Sequence, residues 1–341
     1  MKAKIQPRIN LEDRTALQEV IPLSTPMVLF ADPASACNFQ CKFCPNGDRE
    51  LMRLTGRFQG LMKLDLLKKV IDDLADFQRK IKVLRLYKDG EPFLNKNLAE
   101  MVAYAKKSGC VEYIDTTTNA SLLDPERVKP VIDAGLNKIN ISVYGLVDQT
   151  YKEFCRYDFD FEKFIRNLSW LYDNKGSCEI VVKIPNELLK GKNKDEFFKV
   201  FGDISDRVFV ENFAPCWPDF DVRNRTGVKL DKGIYDQPIG STDVCPYIFY
   251  SMSVNADGFV SMCFLDWGRK LLIGDAKTER LIDIWNSAAM NDHRFLHLEG
   301  RRKQHPLCGK CGQLSHCLPD SIDPYRVELL SKMKDCLAIQ K

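Results

Sequence analysis

Residues 27–45 read MVLFADPASACNFQCKFCP, an apolar run that empties directly into three cysteines within eight residues. Met27–Ala31 is a strand candidate, and the loop behind it carries Cys37, Cys41 and Cys44. Further strand candidates follow at Lys82–Tyr87, Val111–Thr116, Lys138–Val143, Cys178–Ile184 and Arg207–Glu211. Between them lie amphipathic stretches such as Leu64–Phe77 and Leu98–Lys107, apolar at i, i+3, i+4 and i+7. Alternating β and α units predict an α/β fold, a parallel sheet with crossover helices. Six units suit either a partial β/α barrel or a doubly wound sheet. Both place ligand sites at the carboxyl ends of the strands, where the cysteine loop lies.

Outside this core, residues 1–25 show no period and read as an N-terminal extension. The core itself runs over 26–212. Residues 213–244, rich in Pro, Asp, Gly and Arg, read as a linker or substrate-facing loop. Residues 245–341 read as a small second domain. Its hairpin is Tyr250–Val254 and Phe259–Phe264, joined by Asn255-Ala256-Asp257-Gly258. A helix is expected from Leu281 towards His297, and a terminal one over Tyr325–Gln340.

The formal net charge of +3, from 50 basic and 47 acidic residues, makes no electrostatic case for nucleic acid. No apolar stretch reaches the roughly 20 residues of a membrane span, and the charged N-terminus lacks a signal core. A cytoplasmic location is expected. Thirteen cysteines in a reducing compartment point to metal rather than to disulfides.

Cysteines spaced three and two apart on one loop can converge on one iron–sulfur cluster. Three thiolates for four irons leave one iron open to a small-molecule ligand. A structural zinc ion wants four ligands, and no fourth Cys or His lies near this loop. Three further segments fall at strand ends: Gly90-Glu91-Pro92, Thr117-Thr118-Asn119 and Asn140-Ile141-Ser142-Val143. With C-x3-C-x2-C and Phe43, they resemble the motifs of the radical S-adenosylmethionine (SAM) superfamily over residues 27–212. The resemblance implies a partial (β/α)6 barrel and a [4Fe–4S] cluster on Cys37, Cys41 and Cys44. It also implies a SAM site on Gly90, Glu91, Pro92, Asn119 and Ser142. Ala120 stands where the family usually has glycine. Taken alone, Glu91 reads as a helix-start carboxylate, and Ser142 as a turn residue; the company of the other motifs reverses the reading of Glu91.

Cys245-x17-Cys263 and Cys308-x2-Cys311, with Cys317 and Cys336 beyond, form a second constellation. On spacing alone a four-cysteine zinc site and an iron–sulfur cluster are equally open. Leu272–Asp275 and Ile284-Trp285-Asn286 add a resemblance to the SPASM/twitch domains of radical SAM enzymes. That resemblance implies one auxiliary [4Fe–4S] cluster on Cys245, Cys263, Cys308 and Cys311, with Cys317 a further candidate ligand. Ser321 occupies the place of the next cysteine of a full SPASM set. His305 and His316 read as loop histidines.

What the family resemblance implies is formation of a 5′-deoxyadenosyl radical, fed by a reducing partner such as flavodoxin or ferredoxin. A substrate carbon radical beside oxygen loses a proton readily and must then give up an electron, and an auxiliary cluster can take it. The expected reaction is oxidation of a small polar alcohol, sugar- or aminocyclitol-like. A peptide-modifying maturase and a non-catalytic iron–sulfur or zinc module are the alternatives. The extension of 25 residues is too short for a leader-recognition domain. Candidate substrate contacts are Lys88, Asp89, Tyr144, Lys183, Asn186 and Trp217, with Arg156 or Arg223 as an anion clamp. Cys110, Cys155, Cys178 and Cys216 read as isolated thiols, Cys216 the nearest to a role. No catalytic acid or base is assigned.

Overall fold

In chain order the strands are β1 (Lys4–Ile5), β2 (Val28–Ala31), β3 (Ile81–Arg85), β4 (Val111–Thr118), β5 (Lys138–Ser142), β6 (Glu179–Pro185), β7 (Arg207–Glu211), β8 (Ser251–Val254), β9 (Phe259–Ser261) and β10 (Leu272–Asp275). The computed structural model describes residues 1–9, 12, 14–189, 191, 193–317 and 320–339. Gln340, expected at the end of the terminal helix, lies outside them; the helix observed is Arg326–Ile339.

β2 to β7 lie side by side in sequence order, all parallel. A doubly wound sheet reverses its strand order part-way. This one never reverses, which decides for the barrel-type winding. The crossover helices are Leu64–Asp72, Leu98–Ser108, Pro125–Asp133, Phe161–Asn174 and Lys194–Phe201. Strands covered on both faces read as continuous apolar runs. Leu84, Ile114, Ile139, Ile180 and Val182 are accordingly buried.

The barrel is open, because β2 and β7 do not pair. β8 runs parallel beside β2, with Val28 opposite Ser251 and Ala31 opposite Val254. The C-terminal hairpin therefore continues the core sheet, through antiparallel β9 and β10. Its turn needs Gly258, whose φ of +93° suits glycine. On the other edge β1 adds to β7, pairing Lys4 with Arg207. The N-terminal stretch thus joins the sheet edge, although a two-residue strand leaves no period to read. Its Leu17 and Ile21 are buried, and the Leu23 carbonyl accepts from Trp285 Nε1 at 2.9 Å.

Two helical expectations are redrawn. The Leu64–Phe77 pattern is α-helical to Asp72 and then a 3-10 turn over Asp73–Asp76. The helix from Leu281 breaks into Leu281–Trp285 and Ala288–Leu298. Ser287 caps the second piece, accepting from Met290 N at 3.2 Å.

Candidate active site and metal centres

The loop after β2 is fixed by backbone contacts on two sides. Gln40 N and Lys42 N donate to the carbonyls of Cys155 and Phe154, both at 2.9 Å, at the end of helix Asp148–Cys155. Glu91 N donates to the Ala36 carbonyl at 3.0 Å. That approach requires glycine at position 90, where a Cβ would lie 2.0 Å from Ala36 O and 2.3 Å from Ala34 O. Gly47 is constrained likewise, a Cβ there falling 2.1 Å from Cys41 O. Aromatic rings sleeve the loop: Phe43 lies 5.2 Å from Tyr144 and 5.0 Å from Phe213, and Phe39 lies 4.5 Å from Tyr157.

Cys37, Cys41 and Cys44 all line one cavity of about 710 Å³. Burial pushes the Cys44 thiol up to about 12, and lifts Cys37 and Cys41 well above the ordinary thiol range. A metal binding them as thiolates must displace those protons. Among the described residues no three His, Cys, Asp or Glu side chains close on a single ion.

Glu91 is buried beside this loop. Its carboxylate accepts from Phe93 N at 3.0 Å, Thr118 Oγ1 at 2.7 Å and Asn119 N at 2.7 Å. It thus caps the 3-10 turn Pro92–Leu94 and also ties β3 to the end of β4. Two carboxylate oxygens offer about four acceptor sites, so one is left for a further donor in the cavity. Burial pushes this carboxyl up to about 7, against three hydrogen bonds that favour its charged form. Asn119 Nδ2 donates to Asn38 Oδ1 at 2.9 Å and reaches Cys37 Sγ at 3.8 Å. Ala120 holds φ at +65°, the conformation for which glycine is suited. Ser142, Asn119 and Tyr144 line the cavity.

The second cysteine set closes on a separate, smaller space. Cys245, Cys263, Cys308 and Cys311 line an apolar cavity of about 40 Å³, walled by Ile248, Met262, Leu307 and Leu314. Cys317 is not among them. It lines the large cavity, its thiol donating to Gln313 Oε1 at 3.3 Å, and Cys336 is exposed. Two histidines support the ligand backbone: His297 Nδ1 accepts from Cys245 N, and His305 Nδ1 from Cys308 N, each at 3.2 Å. Tyr247, Leu265 and Gln313 line both cavities and so form a shared wall.

The family model described as "Radical SAM superfamily" matches residues 33–202, and that described as "Iron-sulfur cluster-binding domain" (SPASM) matches 245–312. The chain belongs to the radical SAM superfamily. It is similar to a GTP 3′,8-cyclase of Clostridium perfringens (strain 13 / Type A), 29% identical over 301 residues, 88% of this chain and 77% of that protein. A PqqA peptide cyclase of Bradyrhizobium diazoefficiens is 34% identical over 125 residues, 36% of this chain and 29% of its own. Among solved structures, BtrN in complex with AdoMet and 2-DOIA superposes with a TM-score of 0.55 at 19% identity, over 87% of this chain and 97% of that one. A radical SAM chain with a SPASM domain holds a SAM-binding [4Fe–4S] cluster, SAM and an auxiliary iron–sulfur cluster. Among the described residues no helix is long and apolar enough to cross a membrane.

In this radical SAM chain Lys88 and Asp89 line the cavity, but their charged ends are engaged elsewhere. Asp89 pairs with Arg57 Nη1 at 2.8 Å, Lys88 Nζ at 3.0 Å and Arg269 Nη2 at 3.2 Å, all buried. Lys88 Nζ and Arg57 Nη1 also donate to the carbonyls of Asp266 and Trp267, at 3.3 and 3.1 Å. The network clamps the segment after Cys263 to the end of β3. Burial first, then the Asp89 charge, push the neighbouring Asp32 carboxyl up to about 6. Tyr144, Lys183 and Trp217 do face the cavity. Asn186, Arg156 and Arg223 are exposed and do not line it; Arg223 pairs with Asp221. One thiol read as isolated is not, since Cys155 hydrogen-bonds Cys41; Cys216 meets the second set through its backbone, its carbonyl lying 3.8 Å from the Cys311 thiol.

Proposed function

We propose that this radical SAM chain oxidises an alcohol carbon of a small polar substrate in the large cavity. The observation that carries this reading is the shared wall. Tyr247, Leu265 and Gln313 separate the chamber holding Cys37, Cys41 and Cys44 from the cavity lined by Cys245, Cys263, Cys308 and Cys311. When bound, SAM and the two clusters supply a hydrogen-atom abstractor at one end and an electron acceptor at the other. With both supplied, the balance would close: the substrate C–H would give a hydrogen atom, its O–H a proton and the remaining electron would go to the acceptor, leaving C=O.

The chain's own residues prepare that chamber. Cys37, Cys41 and Cys44 would hold the first cluster, and Cys245, Cys263, Cys308 and Cys311 the auxiliary one. Glu91, with one acceptor site left, would hold the SAM amino group, while Asn119 and Ser142 would line the remainder of its site. Cys317, in the larger cavity, is left for the substrate side. The aromatic sleeve of Phe39, Phe43 and Tyr144 keeps water from the reacting end. BtrN, whose complex contains AdoMet and 2-DOIA, matches this architecture along nearly its whole length, which is in keeping with a small-molecule substrate.

The test is anaerobic turnover of the reconstituted enzyme with a panel of polyols. One 5′-deoxyadenosine is expected per carbonyl formed; products that keep every alcohol would overturn the reading. The carboxyl of Glu91 gives a second check. It accepts from an amino group much more strongly when ionised, and burial pushes its titration up to about 7. SAM affinity should therefore fall on the order of tenfold as pH drops from about 8 to about 6. Equilibrium dialysis should show this slope in the native chain and a flat profile in Glu91→Gln. A flat profile in both would remove Glu91 from the SAM site.

A further inference from the structure

One wall of the chamber is cationic. Lys82 and Arg85 of β3, Lys138 of β5 and Lys183 of β6 line it. Arg8 joins them from the N-terminal segment, whose backbone is held across the strands by two bonds. Arg207 Nη1 donates to the Pro7 carbonyl at 3.1 Å, and Lys138 Nζ to that of Arg8 at 3.3 Å. Tyr235 is a hydrogen-bonding partner of the Arg8 side chain.

The carboxylates nearby do not balance these five cations. Glu211 pairs with Lys183. Asp115 is shared, 3.7 Å from both Arg85 Nη1 and Lys138 Nζ, and neither of its oxygens accepts a hydrogen bond from the described residues. Glu12 lies on the same wall, and Arg14 beside it is matched by Asp320. Arg8 Nε and Arg85 Nε, both buried, have no hydrogen-bond partner among the described residues. Each guanidinium has a partner, Arg85 in Tyr87 at 2.5 Å and in Asp115, Arg8 in Tyr235, but a buried Nε donor left unmet is costly. A cleft lined by one sign of charge attracts the opposite one, and guanidinium groups match phosphate and carboxylate oxygens in pairs.

We infer that the substrate is an anion: a polyol bearing a phosphate or carboxylate, which Arg8 and Arg85 grip on this cationic wall. This deepens the function proposed above and rests on the large cavity being the substrate site. An amine-bearing polyol would meet repulsion at the same wall.

Binding is the appropriate readout, because it needs no SAM cleavage; loss of the radical reading and loss of this one are then told apart. Glucose, glucose 6-phosphate, glucuronate and glucosamine are titrated calorimetrically into the reconstituted, SAM-loaded full chain. Glucose 6-phosphate or glucuronate should bind at least about tenfold more tightly than glucose, with glucosamine weakest, and rising salt should erode the difference. Whichever anion binds more tightly identifies the group. Arg8→Ala should abolish the preference, whereas Arg8→Lys, which keeps the charge, should restore most of it. Iron content reports whether each variant is folded. The inference is overturned if no anion binds, if glucose or glucosamine binds as tightly as both anions, or if folded Arg8→Ala keeps the preference.

Discussion

Gly90→Ala should empty the first cluster site, and iron should fall from about eight to about four atoms per chain, at four per cubane. The new methyl would lie 2.0 Å from Ala36 O and 2.3 Å from Ala34 O. Both obstacles are backbone atoms that cannot rotate away. Overpacking of this kind costs about 1–3 kcal/mol where side chains can give, and more here. The strand end must retreat, breaking the bond from Glu91 N to Ala36 O and displacing the loop that carries Cys37. The auxiliary cavity is lined from residues 218–219, 245–248, 262–271 and 302–314, none of them on the strand end that moves, so its iron should survive. Iron analysis with a 5′-deoxyadenosine assay checks this. A variant retaining about eight irons and full SAM cleavage would show that the close approach at Gly90 does not shape the site.

Cys263→Ala combined with Cys308→Ala should have the complementary effect. Iron should again fall to about four per chain, but 5′-deoxyadenosine should still form while carbonyl product falls to background. The substrate radical then has no acceptor behind the wall of Tyr247, Leu265 and Gln313. Cys317→Ala is the contrasting variant. Because that thiol lines the large cavity and not the small one, the iron count should stay near eight. Zinc in place of lost iron would assign the second set to a structural ion, and undiminished carbonyl formation in the double variant would remove its role as electron acceptor.

The barrel was legible because short strands rich in buried Ile and Val, as in Glu179–Pro185 and Lys138–Ser142, alternate with amphipathic helices such as Phe161–Asn174. The cysteine loop and the Gly-Glu-Pro turn were legible for another reason: each function sits within a few consecutive residues. What the sequence hid is long-range. Arg57, Asp89 and Arg269 each look like surface charges, and only folding buries them as one network. Arg8 belongs to a stretch without period, yet it enters the chamber because β1 anchors that stretch to β7. Cys155 meets Cys41 only where helix Asp148–Cys155 ends against the loop. Asn186, Arg156 and Arg223 lie off the large cavity for the opposite reason. Loops at strand ends are polar whether or not they face the lumen, and these three point outward.

The most direct measurement is made on the native chain, reconstituted anaerobically with iron and sulfide, reduced and given SAM. About eight irons per chain and formation of 5′-deoxyadenosine with methionine, lost when Cys37, Cys41 and Cys44 are replaced by alanine, are the expected result. An iron-loaded, reduced protein that leaves SAM intact would contradict it.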